Sequence, residues 1–316
     1  SSTDLTAVLD SRTSQLEAVV ARVAGLNEAF GASGDELKAA LTSHSAKFES
    51  IVKQHAEALD EMLKVNAARG ARERVTLLKG LPESAIAECL RTRIAMMPGA
   101  KVLVLQNGLD VEDSLREHLP ASLHLLGGLC YIGVHRSAPG VVEHQALGRV
   151  NLGYHSGTAA NDESRQKAIV EAGAALFHKA GIESQGMANV HQARWHKLVW
   201  NVPYNGLSVL LGTGTTAMMA DESSRELIQA LMAEVVQGAH ACGHEIPGSY
   251  AEQMFAMTQT MDDYLPSMYH DHIHKRPLEL AAIYARPLAA AKAAGCELPR
   301  MQALYQALSF IDRHNR

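Results

Sequence analysis

The 316-residue chain is 47% hydrophobic and 20% charged, the balance of a folded globular protein with length for two or three domains. With 29 Lys and Arg against 34 Asp and Glu, the net charge is −5 and the pI about 6.3, which gives none of the basic surface that nucleic-acid binding needs. No apolar run approaches the ~18–20 residues of a membrane span, and no signal-peptide pattern opens the sequence. Four widely spaced cysteines (Cys89, Cys130, Cys242 and Cys296), with no C-x-x-C, predict reduced, buried thiols in a cytoplasmic protein.

Residues 1–70 carry a heptad-like seam. Leu5, Leu9, Arg12, Leu16, Val19, Val23, Leu26 and Phe30 alternate steps of four and three. Gly31-Ala-Ser-Gly34 interrupts it, and Leu37, Leu41, His44, Phe48, Ile51, His55, Ala58, Met62 and Val65 resume it. The pattern predicts an antiparallel helical hairpin whose apolar seam packs on the rest of the chain or on a second copy. Asn66 to Arg74 reads as a linker.

From Val75 the texture changes. Val75–Leu78 has strand length and Pro82 to Ile94 reads as a helix. Lys101-Val-Leu-Val-Leu105 is a continuous apolar run of the kind a buried parallel sheet uses. It ends in Gln106-Asn107-Gly108, and a helix is expected from Val111 to His118. Leu123 to Val134, Val141 to His144 and Arg149 to Tyr154 read as strands, with Ala138-Pro-Gly140 as a hairpin turn. Strand, helix, strand at this spacing is a βαβ unit. A helix follows from Asp162 to Ala180, and from about His191 the chain reads as helical throughout.

The stretch Arg194 to Leu211 concentrates the chemistry. Lys197, Asn201 and Asn205 recur every fourth residue and share one helix face, amid Leu198, Val199, Val202 and Val209. A lysine on a largely buried helix is paired or used, although the same spacing also suits a solvated polar stripe. Pro203 removes one backbone donor and is expected to bend the helix.

These residues, with three other stretches, resemble the ketopantoate reductase (2-dehydropantoate 2-reductase) family from about Val75 to the C-terminus. Val102-Leu-Val-Leu-Gln-Asn-Gly108 is similar to the family's strand ending in Asn-Gly. Trp195 to Asn205 is similar to its Lys…Asn…Asn helix. Ser267, Met268 and Asp271 are similar to its Ser-Met-x-x-Asp segment. Lys275-Arg-Pro-Leu-Glu279 is similar to its Arg-x-Thr-Glu segment, with Leu278 at the Thr position. The resemblance implies reduction of a 2-oxo acid by NADPH. It implies Lys197 as general acid with the carboxylate of Glu279 near it, and Asn201, Asn205 and Ser267 as substrate-binding residues. It places Asn107 and Lys79 beside the cofactor. The chemistry is consistent, because a protonated amine neutralises the negative charge that hydride delivery leaves on a ketone oxygen.

The implied fold is α/β plus α. A helical hairpin (1–70) precedes a partial Rossmann-like domain (71–188) and an all-helical substrate domain (189–316), with the site in the cleft between the last two. The family's opening strand and G-x-G-x-x-G loop find no counterpart before Val75, where the hairpin stands instead. A second reading is therefore a family-derived assembly or binding protein without cofactor. Either way, a homo-oligomer is expected through the hairpin or the helical domain, with no nucleic-acid or membrane partner.

Other signals read as structural. Gly212-Thr-Gly-Thr-Thr-Ala217 matches G-x-G-x-x-A but follows a helix, so an inter-helix loop is expected. His270 with His274, and His240 with His244, have helical i, i+4 spacing, yet partly exposed polar faces are expected rather than a metal site. Asp262-Asp263 is expected on a solvated helix surface.

Overall fold

The structure, a computed structural model, describes residues 99–138 and 141–315. The hairpin expected over 1–70, the linker, the strand and helix expected between residues 75 and 94, Lys79, Cys89 and the turn residues Pro139 and Gly140 lie outside the described residues.

The apolar run after Gly99 forms β1 (Lys101–Val104), which pairs in parallel with β2 (His124–Ala138). Between them lies α1 (Val111–Arg116), so the expected βαβ unit is present. β2 turns into the antiparallel β3 (Val141–Ser156), and the short β4 (Gly186–Met187) adds in parallel at the far edge. The two strands expected over Val141 to Tyr154 are one. The break read from the sequence is a bulge: Ile132 pairs with Leu147 and Tyr131 with Arg149, while Leu147 takes φ +62° and Gly148 is skipped. α2 (Glu163–Lys179) is started by Asp162, whose side chain accepts from the Arg165 N–H. Its buried face, Ile169, Val170 and Ala174, covers Leu126, Val150 and Leu152 of the sheet.

The remainder is helical. α3 (Val190–Leu211) is the longest, capped by the Asn189 side chain accepting from Gln192 N–H and ended by Gly212 at φ +67°. α4 (Thr215–Ala220), α5 (Glu222–Ala241), α6 (Gly248–Gln259) and α7 (Ser267–Ile273) follow. A π-helical turn (Ala281–Ala285) runs directly into α8 (Arg286–Ala293), and α9 (Pro299–Asn315) closes the described chain. α3 is the core of this part. Trp195, Leu198, Val199, Val202, Tyr204 and Leu207 are all buried, and each such side chain contributes on the order of 1.5–3 kcal/mol. The helix is continuous through Pro203, and the Tyr284 hydroxyl donates to the Val202 carbonyl beside it (2.8 Å).

Polar side chains do much of the joining. Glu234 on α5 caps α9, accepting from the backbone N–H groups of Arg300 (3.0 Å) and Met301 (2.8 Å). Asp263 lies in the loop before α7 and accepts from Thr216 N–H at the start of α4 (2.9 Å). It is thus a cap rather than part of a solvated helix face. Of the Gly212–Ala217 stretch, Gly212–Gly214 form the inter-helix loop and Thr215–Ala217 open α4, whose start is already met by that carboxylate. His270 is buried, against the expected exposed face, and its carbonyl accepts from His274 Nδ1 (2.7 Å). Cys130, Cys242 and Cys296 form no disulfides and are half-buried rather than buried.

A buried contact that ties α1, beside the sheet, to the helical part is Glu112 with Arg194 on α3, which are 0% and 3% exposed. Arg194 Nε donates to both carboxylate oxygens (3.0 and 2.8 Å), and Nη2 donates to Oε1. Its Nη1 donates to the carbonyls of Gln106 (2.9 Å) and Gly108 (2.8 Å). Glu112→Ala leaves this guanidinium buried without its carboxylate and is expected to cost about 3–5 kcal/mol in urea unfolding. A loss below about 1 kcal/mol would show that the pair does not hold the two layers together.

Candidate active site

β1 ends at Val104, and the chain leaves the sheet through Leu105-Gln106-Asn107-Gly108. Three groups fix this loop. Arg194 holds two of its carbonyls. Leu109 N–H donates to the Ala282 carbonyl in the π-helical turn (2.9 Å). Arg286 Nη1 donates to the carbonyls of Leu109 and Asp110 (both 3.3 Å). Gly108 sits at φ +96° directly against Ala282, where any Cβ would collide with backbone.

The fixed loop aims Asn107 at α3. Lys197 Nζ donates to Asn107 Oδ1 (2.8 Å) and to the Cys130 carbonyl on β2 (2.6 Å). Asn107 Nδ2 donates to Glu279 Oε2 (3.3 Å), so the amide bridges ammonium and carboxylate. An ammonium has three N–H donors. Two are engaged by the described residues and the third is left for a ligand oxygen. The Tyr131 ring centroid lies 5.4 Å from Nζ, with Arg149 on the same ring at 4.9 Å. Burial pushes the Lys197 pKa down to about 8, helped by Arg194. The Cys130 side and Glu279 push it back up, but desolvation is the largest effect.

Glu279 is positioned from behind. Leu278 N–H donates to the buried Asp312 of α9 (3.0 Å), and the Leu278 side chain is itself buried. The chain at the position of the family's Thr is therefore held through its backbone.

One turn along α3, Asn201 is 5% exposed, and its amide makes no hydrogen bond among the described residues. A further turn on, Asn205 Oδ1 accepts from Met268 N–H (3.3 Å) and Ser267 Oγ (3.5 Å) at the start of α7. The structure thus brings Lys197, Asn107 and Glu279 into one bonded chain and Asn205 with Ser267 into another, with Asn201 between them on the helix. Lys79 lies outside the described residues. Sequence reasoning missed Arg194, Glu112, Tyr131 and the Cys130 carbonyl. The two charges were legible as types that are rarely buried unpaired, but their pairing across 82 residues was not. A carbonyl has no signature in sequence.

No helix among the described residues is long and apolar enough to cross a membrane.

Two family models match the chain: "Ketopantoate reductase PanE/ApbA" over residues 38–157 and its C-terminal counterpart over residues 189–312. The first match starts well ahead of Val75, so the likeness reaches into the segment read as the second hairpin helix. The 2-dehydropantoate 2-reductase of Nostoc sp. is 40% identical over 217 residues, 68% of this chain and 66% of the relative. That of Halobacterium salinarum is 34% identical over 155 residues, 49% of this chain and 48% of the relative. The chain thus spans between about half and two thirds of these curated relatives. The crystal structure of 2-dehydropantoate 2-reductase from Geobacter metallireducens superposes with a TM-score of 0.64 at 35% identity, covering 72% of this chain and 74% of that one. The fold, the helix bearing Lys197 and the two family matches agree, and the chain belongs to the ketopantoate reductase family.

Proposed function

We propose that this chain is a cytoplasmic reductase of a small 2-oxo acid, in the first place of 2-dehydropantoate to pantoate, with NADPH as reductant. The observation that carries this reading is the Lys197–Asn107–Glu279 chain, in which a half-buried ammonium of lowered pKa keeps one N–H for a ligand. The names of the relatives support the substrate.

The donor set suits the reactive end of such a cofactor. Asn107 stands at the carboxyl end of a parallel strand, where α/β sheets bind nucleotides. Lys79 is assigned to the same side from the family pattern. NADPH when bound supplies the hydride that reaches the carbonyl carbon. As the C=O π bond opens, Lys197 gives its proton to the oxygen, which becomes the hydroxyl of the product, and the amine regains a proton from solvent. Glu279 favours the charged state of Lys197, and Asn107 holds the two in line. Asn201, with the free N–H groups of Asn205 and the hydroxyl of Ser267, is assigned to the carboxylate and hydroxyl of the acid. A homo-oligomer formed through residues 1–70 or the C-terminal helices belongs to the same proposal. Leu210, Leu211 and Phe310 are exposed on the latter.

Reduction requires the ammonium, so its rate is expected to be flat below pH about 8 and to fall about tenfold per unit above it, while oxidation of the hydroxy acid rises over the same range. Glu279→Gln removes a group that raises this pKa and moves the falling limb to lower pH. A limb unmoved in the variant would take Glu279 out of the ammonium's environment.

Lys197→Ala is expected to lower kcat by about 10² to 10⁴ at saturating cofactor. Lys197→Arg is expected to fail as well, since a guanidinium does not release its proton. Near-native turnover in either variant would remove Lys197 from the mechanism.

The second reading, a non-catalytic binding or assembly protein, draws on one observation. Residues 1–316 contain no literal G-x-G-x-x-G. Two or three absent charge-assisted bonds to a pyrophosphate, at about 1.5–3 kcal/mol each, weaken binding by on the order of 10² to 10⁶. Isothermal titration with NADPH and NADH separates the two. Micromolar NADPH binding that discriminates against NADH supports the reductase, and millimolar binding without preference supports the other.

A further inference from the structure

A second cluster of titratable groups lies at the start of α3, about two turns before Lys197, and the proposed reduction does not use it. Three elements meet there. α1 contributes Asp113, the end of β3 contributes His155, and the first turn of α3 contributes His191. One ligand atom from each lies within 4.8 Å of the other two. His155 Nε2 is 3.1 Å from Asp113 Oδ1, and His191 Nε2 is 3.9 Å from Asp113 Oδ2. Ligands at ~2.0–2.1 Å from a tetrahedral zinc ion stand roughly 3.3 Å apart, a spacing these two separations bracket.

The outer contact of His155 follows the pattern of metal-binding imidazoles, in which the second ring nitrogen is held by an oxygen. His155 Nδ1 is 2.9 Å from Ser156 Oγ, and His191 Nδ1 is 3.8 Å from Asp110 Oδ1. The side chain of His155 is only 7% exposed. The ring of His244 stacks on His191 at 6.3 Å with planes 12° apart. Two carboxylates, those of Asp110 and Asp113, face the His191 ring at 3.8 and 3.9 Å. The His155 and His191 rings lie 5.4 Å apart.

We propose that Asp113, His155 and His191 form a binding site for a divalent transition-metal ion of the zinc and nickel class, with water completing the coordination. Two imidazoles and one carboxylate suit such ions and not magnesium or calcium, which take oxygen ligands. The ion would tie α1 and β3 to the first turn of α3. Asp113 adjoins Glu112, so it would brace the same junction that Arg194 holds.

The test is isothermal titration of the full chain, stripped with a chelator, using ZnCl₂ alone at pH about 7.5. The expected result is one equivalent bound with micromolar Kd. Binding should be weakened at least about tenfold in His155→Gln and in His191→Gln, since even outer-shell losses cost that much, and unchanged in His314→Gln. Zinc should raise the Tm of the native chain but not of His191→Gln. Cobalt(II) should give visible bands with the native chain that His191→Gln lacks. His191 is partly exposed, so that variant carries the decision if His155→Gln does not fold. No zinc binding by the native chain up to about 1 mM, or native affinity in His191→Gln, overturns the site.

Discussion

The buried pair of Glu112 and Arg194 is the constraint from which the rest of the site follows. Such a pair adds little net stability, because removing two charges from water costs about as much as their attraction returns. Its value here is positional. One guanidinium satisfies a carboxylate on α1 and two carbonyls of the loop after β1, so the loop, the helix after it and α3 share one geometry. Gly127 makes room for this. A Cβ there would strike the Glu112 carboxylate and Val190. Backbone smallness on β2 and a fork of donors on α3 are two halves of the same fit.

Given a fixed loop, the state of Lys197 is a contest of three effects. Burial removes water from the ammonium, and Arg194 repels it. Glu279 and the groups around Cys130 attract it. The balance leaves the pKa at about 8, well below the usual lysine value, so burial wins without being decisive. A group poised there is charged at neutral pH and still gives up its proton readily, as proton donation to a nascent alkoxide demands. Had Asn107 been free to turn away, the ammonium would have lost the oxygen that offsets part of its desolvation. The clasp at Arg194 thus acts on the chemistry by geometry, through Asn107, as well as by its charge.

Much of this was legible in the sequence, and the limits have physical causes. The apolar run before Asn107 and the four-residue recurrence of Lys197, Asn201 and Asn205 announce a buried strand and one helix face, since both signals are local and periodic. The break read at residues 145–148 was a bulge, because one skipped residue looks like a turn until its partner strand is known. Asp263 is exposed, yet its carboxylate also caps a helix that precedes it by 47 positions. Glu234 caps α9, and Asp312 holds the Leu278 backbone N–H far from it in sequence. Long-range caps leave no periodicity, so composition alone assigns such carboxylates to solvent.

Chain order along α3 makes one more step possible. His191, Arg194, Lys197, Asn201 and Asn205 fall within roughly 120° of helix circumference at 3.6 residues per turn. They form a single polar line on a helix otherwise mostly committed to the core. Four of the five meet other elements: His191 meets α1 and β3, Arg194 meets α1 and the loop after β1, Lys197 meets that loop and β2, and Asn205 meets α7. A helix buried on its other faces cannot rotate to relieve strain at one of these contacts without disturbing all of them. The departure at Leu278 is tolerated on the same logic. What that position supplies is a backbone N–H to Asp312 and an apolar side chain to the core, so Glu279 keeps its place without a hydroxyl beside it.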